Sequence, residues 1–152
     1  MSLWYRKITS DMGEIVSAIS HFEQQIDEAK FECGMKGNLE KHSRDMPGIV
    51  EHRFNQLQEI EAILEHLNTE MRKLRSKTFR KYLESYNRAL SSRDAEKFVD
   101  GEEDVVNLQY LINDFSLVRN KFIGVIKALE AKQFQINNVV KLRAAGLEDI
   151  SL

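Results

Sequence analysis

Residues 102–146 read EEDVVNLQYLINDFSLVRNKFIGVIKALEAKQFQINNVVKLRAAG. Leu108, Ile112, Phe115, Arg119, Phe122, Ile126, Leu129, Gln133, Ile136, Val140 and Arg143 follow one another in steps of four and three. That spacing keeps one side of an α-helix facing a neighbour for its whole length. A second line, Leu111, Val118, Val125, Lys132 and Val139, recurs every seven residues. Two adjacent apolar lines predict a helix packed against more than one neighbour. Glu102, Glu103 and Asp104 suit the first turn, where the helix dipole favours anions. Arg143 suits the last turn, and Gly146 suits the position just beyond it.

Working upstream, the same periodicity appears twice more. Ile8, Met12, Ile15, Ile19, Phe22, Ile26, Ala29 and Cys33 form a four-three seam, which predicts one long N-terminal helix. Gly34 and Gly37 weaken it, and Pro47-Gly48 marks a turn, so a second helix is expected from about Ile49. Val50, Phe54 and Leu57 open its stripe. After a three-residue step that shifts the phase, Ile60, Leu64, Leu67, Met71, Leu74 and Thr78 continue it. Ser91-Ser92 before Asp94 predicts a break and a fresh N-cap, then a short helix through Phe98 and Val99 that ends near Asp100-Gly101. Period-two alternation never persists. The expected class is all-α, with long helices whose heptad seams form an oligomeric bundle or coiled-coil-like assembly. The chain reads as one domain with an N-terminal helix over 1–45, a basic helix over 49–92, and an acidic start plus C-terminal helix over 94–146.

Charge is distributed unevenly. Thr69 to Arg93 carries eight Lys/Arg against two acids, a local charge of +6. Asp94 to Asp114 carries seven acids against Lys97, a local charge of −6, while the whole chain is only −2. At 100° per residue, Lys73, Lys77, Arg80, Lys81 and Arg88 fall on one arc of the second helix, with Met71, Leu74, Thr78 and Tyr82 roughly opposite. Arg72 and Arg75 project towards the apolar flank, where pairing with acids of a neighbouring helix is expected. Cations for phosphates with interleaved rings for bases, here Phe79, Tyr82 and Tyr86, are what an unpaired nucleic-acid strand requires. The same charges also suit a solvated helix face, and the rings also suit a core. The acidic block reads as a solvated loop and helix N-terminus, or else as a mimic of nucleic acid folded over the ridge or a surface for a basic partner.

Other chemistry is poorly represented. There is no Gly-x-x-x-x-Gly-Lys-Ser/Thr loop for phosphates and no G-x-S-x-G elbow. His21, His42, His52 and His66 lie far apart, without the spacing of metal ligands. Adjacent Glu51-His52 and Glu65-His66 miss the Glu-x-x-His pattern of di-iron bundles. No catalytic residue, metal or cofactor is expected. A lone Cys33 allows no intrachain disulfide, and no apolar run approaches the ~20 residues that span a bilayer, so a reducing cytoplasm and no membrane partner are expected.

The stretch MRKLRSKTFRKYLESYNRALSSRDAEKFVD (71–100) and the ending NNVVKLRAAGLED (137–149) resemble UvsY-type recombination mediators of T-even-like phages, the marine cyanophage versions above all. The likeness runs from about Phe31 to Asp149 and rests on overall pattern rather than on a short motif. It implies an all-helical homo-oligomeric ring of six or seven subunits in the infected host cell. It also implies binding to single-stranded DNA and contact with the phage recombinase and the phage single-strand-binding protein. The family's DNA-contacting segment falls here on Lys77, Arg80 and Lys81, followed by Tyr82 and Tyr86. A glycine-rich continuation in the enterophage protein is replaced here by Leu83 to Leu90, which reads as continued helix. The family's oligomerisation helix matches Leu108 to Val140, so Leu108, Ile112, Phe115, Phe122, Ile126, Leu129, Ile136 and Val140 are the expected self-association residues. A coiled-coil scaffold with no nucleic-acid role is the competing reading, because heptad seams fit it equally well.

Overall fold

The structure, a computed structural model, describes residues 3–85 and 90–146. These residues are all-α. Helix α1 spans Leu3–Ser10, a single 3-10 turn covers Met12–Glu14, and α2 spans Ile15–Glu32. Helix α3 runs over Leu39–Ser85, α4 over Ser92–Asp100 and α5 over Glu103–Ala144. At 47 and 42 residues, α3 and α5 are about 70 and 63 Å long.

The two long helices lie antiparallel. Glu102 meets Lys81 at one end, and Lys132 meets His42 near the other. Helix α2 packs beside both, parallel to α5 through Glu23–Lys121 and antiparallel to α3 through Gln25–Gln56 and Glu32–Arg53. The core is thus a three-helix bundle over the first half of α3 and a two-helix pair, capped by α4, over the second half. Phe22 of α2 stands between Phe115 and Phe122 of α5, edge-on to both at centroid distances of 6.1 and 6.0 Å. All three rings are buried. Helix α1 closes one side. The Glu59 carboxylate of α3 accepts from the Trp4 and Tyr5 backbone N–H groups at 2.8 and 3.1 Å, serving donors that a helix start leaves unpaired.

Several expectations change. The N-terminal segment is two helices rather than one. The Asp11 side chain accepts from the Gly13 backbone N–H at 2.8 Å and caps the turn between them. The second long helix starts at Leu39, not near Ile49, and continues through Pro47. Proline deprives the Ser43 carbonyl of its intrahelical donor, but both residues are exposed and solvent can serve that carbonyl. The loop before α3 turns at Gly37, whose φ of +110° favours glycine. The apparent phase shift of the second stripe is absent. Phe54 points outward, whereas Arg53 is buried, so Met46, Val50, Arg53, Leu57, Ile60, Leu64, Leu67, Met71, Leu74 and Thr78 form an unbroken four-three series on the buried or half-buried side. Gln133, expected on the first line of α5, is exposed, while Lys132 of the second line is buried. As expected, Ser91 caps α4, which ends at Asp100, and Gly146 follows α5 with φ +71°. The second apolar line of α5 is buried at Val118, Val125 and Lys132, which gives this helix its two neighbours, α2 and α3.

Candidate nucleic-acid interface

No glycine or proline occurs between Ile49 and Asp100, and the run from Met71 to Tyr82 is rich in strong helix formers. The helix can therefore keep its cations in register. Met71 and Thr78 are buried and Leu74 is half-buried against the rest of the fold. On the opposite side, Arg72, Lys73, Ser76, Lys77, Arg80, Lys81 and Glu84 line a shallow open groove along the helix. Successive pairs four residues apart rise about 6 Å along the axis, so the charges form a row rather than a cluster.

The cations of this row differ in their partners. Lys73 donates to Glu70 at 2.6 Å, and this bond, opposed by desolvation, holds the Glu70 carboxyl below its ordinary range. Arg72 reaches Glu65 at 3.2 Å and Thr69 Oγ1 at 2.9 Å. Lys81 lies 3.5 Å from Glu102. Lys77 and Arg80 are exposed and make no ion pair or hydrogen bond among the described residues. The paired cations are largely exposed as well, so their pairs contribute little and exchange readily with another anion. Arg75 lies to one side, with its guanidinium 2.7 Å from Asp100 at the end of α4.

Of the residues expected to touch DNA, Lys73, Lys77, Arg80 and Lys81 come together on this face. Tyr82 does not join them. Its hydroxyl donates to Glu102 Oε2 at 2.6 Å, and its ring stacks on Phe98 at 5.5 Å with 26° between planes. The ring is turned towards the α4–α5 junction and half-buried there. Tyr86 and Arg88 lie outside the described residues. Arg72 and Ser76 line the groove although the projection set Arg72 aside. The repeated four-residue step Arg72–Ser76–Arg80–Glu84 was the signal that marks them.

The expected self-association residues face inward within one chain. Ile112, Phe115, Phe122, Ile126, Leu129 and Ile136 are buried against α2 and α3, and Leu108 is half-buried. Only Val140 is exposed. The heptad seam therefore holds the subunit together. Apart from Val140, the large apolar side chains that α5 turns to solvent lie outside this seam and include Tyr110, Leu117 and Phe134.

Within the acidic block, Asp100 pairs with Arg75 and Glu102 with Tyr82 and Lys81 of α3, while Asp94, Glu96, Glu103 and Asp104 are exposed along α4 and the first turn of α5, as expected of a solvated helix N-terminus. Among the described residues no group of three His, Cys, Asp or Glu is placed to hold a metal, and no helix is long and apolar enough to cross a membrane. His21 packs on Trp4 at 5.3 Å, His66 packs edge-on to Tyr5, and His42 bridges the Lys36 carbonyl and the Lys132 ammonium. Comparison with models of known families, with curated proteins and with solved structures yields no match.

Proposed function

We propose that this chain is a non-enzymatic mediator that binds single-stranded DNA and helps a phage recombinase assemble on DNA covered by single-strand-binding protein. The carrying observation is the row of exposed cations on α3, with Lys77 and Arg80 unpaired among the described residues. Such a row neutralises phosphates without reading sequence, as a loading factor requires. The choice of recombinase and binding protein as partners rests on the resemblance of residues 71–100 and 137–149 to UvsY-type mediators. Assembly of several copies would multiply a modest site through effective concentration. The mediator acts by holding the strand electrostatically while the recombinase nucleates.

Fluorescence anisotropy with a labelled oligonucleotide tests this reading. If all five cations of the row engage phosphates, log affinity falls against log salt with a slope of about −3.5 per protomer, and if only Lys77 and Arg80 do, of about −1.4. Lys77→Ala with Arg80→Ala is expected to weaken binding about tenfold or more at low salt, at unchanged helicity, because both side chains are exposed. A salt-independent affinity, or an unaffected double variant, favours the scaffold reading instead.

A further inference from the structure

Glu102 carries a side chain that its own helix does not use for capping. It is the N-cap residue of α5, yet its side chain makes no capping hydrogen bond. The carboxylate instead accepts from the Tyr82 hydroxyl at 2.6 Å and lies 3.5 Å from Lys81 Nζ. Tyr82 foremost, and Lys81 with it, hold this carboxyl below its ordinary value against the opposing effect of desolvation. A hydroxyl and an ammonium directed at the two oxygens of one carboxylate, at the end of a cationic row, form a pattern that fits the two non-bridging oxygens of a phosphodiester as well. We propose that Tyr82 and Lys81 form a seat for a backbone phosphate of the bound strand, and that Glu102 fills this seat until the strand displaces it. This rests on the nucleic-acid reading above and adds a specific contact and a gate to it.

The exchange is a movement of one side chain. Glu102 is half-buried and forgoes no cap bond when it turns to solvent. Arg75 and Asp100, 2.7 Å apart, still tie α4 to α3. With Glu102 in place its charge repels an incoming phosphate and lowers the effective charge of Lys81. Tyr82 thereby acts through its hydroxyl on the backbone rather than through its ring on a base.

Glu102→Gln keeps an acceptor for Tyr82 and removes the charge. Glu130→Gln makes the same charge change on an exposed residue of α5 beyond the bundle end of the ridge, and serves as the control. Anisotropy with the full chain and a single-stranded oligonucleotide is expected to show Glu102→Gln binding about two- to fivefold more tightly than wild type. Its salt slope is expected to be steeper by about 0.7. Glu130→Gln is expected to match wild type, and adding Tyr82→Phe to Glu102→Gln to abolish the gain. Wild-type binding with equal effects of Glu102→Gln and Glu130→Gln would overturn the gate and leave the ridge standing. A gain that survives Tyr82→Phe would overturn the seat. Failure of every form to bind would bring down both this inference and the nucleic-acid reading.

Discussion

Arg53 and Lys132 are charged side chains in positions where apolar ones are the rule, and both end on the same residue of α2. The Arg53 guanidinium donates to both carboxylate oxygens of Glu32 at 2.8 Å and to Gln25 and Gln56 at 2.9 Å. The Lys132 ammonium donates to the Glu32 main-chain carbonyl at 2.6 Å and contacts His42 Nδ1 at 3.2 Å. The end of α2 is thereby fastened to both long helices. Every buried nitrogen of these two side chains has a partner, which lets a 3%-exposed arginine persist in an otherwise apolar stripe. Arg53→Ala removes one side of this arrangement and leaves Glu32, Gln25 and Gln56 without their common donor. It is expected to lower stability by about 3 kcal/mol in urea denaturation at neutral pH. These two residues also explain where sequence reading erred. Hydrophobicity assigns Phe54, and the four-three count assigns Gln133, to the inward line, because neither anticipates that a distant carboxylate or carbonyl will accept a buried cation at the neighbouring position. Lys73, Lys77, Arg80 and Lys81 were legible for the opposite reason, because exposed charges on one helix face need no partner to be placed, although Arg72 was set aside.

At the level of elements, α3, α4 and α5 were readable from periodicity and caps, and the errors lie at the ends. Pro47 suggested a start because proline is favoured in a first turn, yet eight residues of α3 precede it. The break between α1 and α2 was hidden by a seam that runs across it unchanged, since Ile8 and Ile15 are both buried on either side of the turn. The orientation of Tyr82 was not legible, because it depends on where α4 returns the chain. That junction has a defined pH response. Glu102 titrates below its ordinary value of 4.5 in the folded chain, so its contribution to stability is complete above that pH and is lost as pH falls below it. Glu102→Gln is therefore expected to have a lower urea midpoint than wild type at pH 7. The difference should stay constant down to about pH 5 and close in more acidic solution. A difference that widens on acidification would contradict the assignment.

For the molecule as a whole, the inward seam on α5 changes what a disrupting substitution reports. Phe122→Asp or Ile126→Asp places a carboxylate in the subunit core. We expect either one to cost more than about 4 kcal/mol and to abolish helicity together with any assembly. Circular dichroism and light scattering on the same sample check this. A folded 17.7 kDa monomer from either variant would show that the seam serves association rather than folding. The all-α class followed from the sequence because three long four-three patterns leave no other option. Whether those patterns join helices of one chain or of several is a separate matter, since a heptad seam is the same in both cases.

The continuity of α3 has a mechanical consequence. One unbroken helix carries both the wall of the three-helix bundle and, in its later turns, the cationic row. No joint separates the body from the cationic row. If copies assemble and bind a strand as proposed, the bearing of each row is set by how the bodies dock, and the path of the strand becomes a property of subunit packing rather than of local flexing.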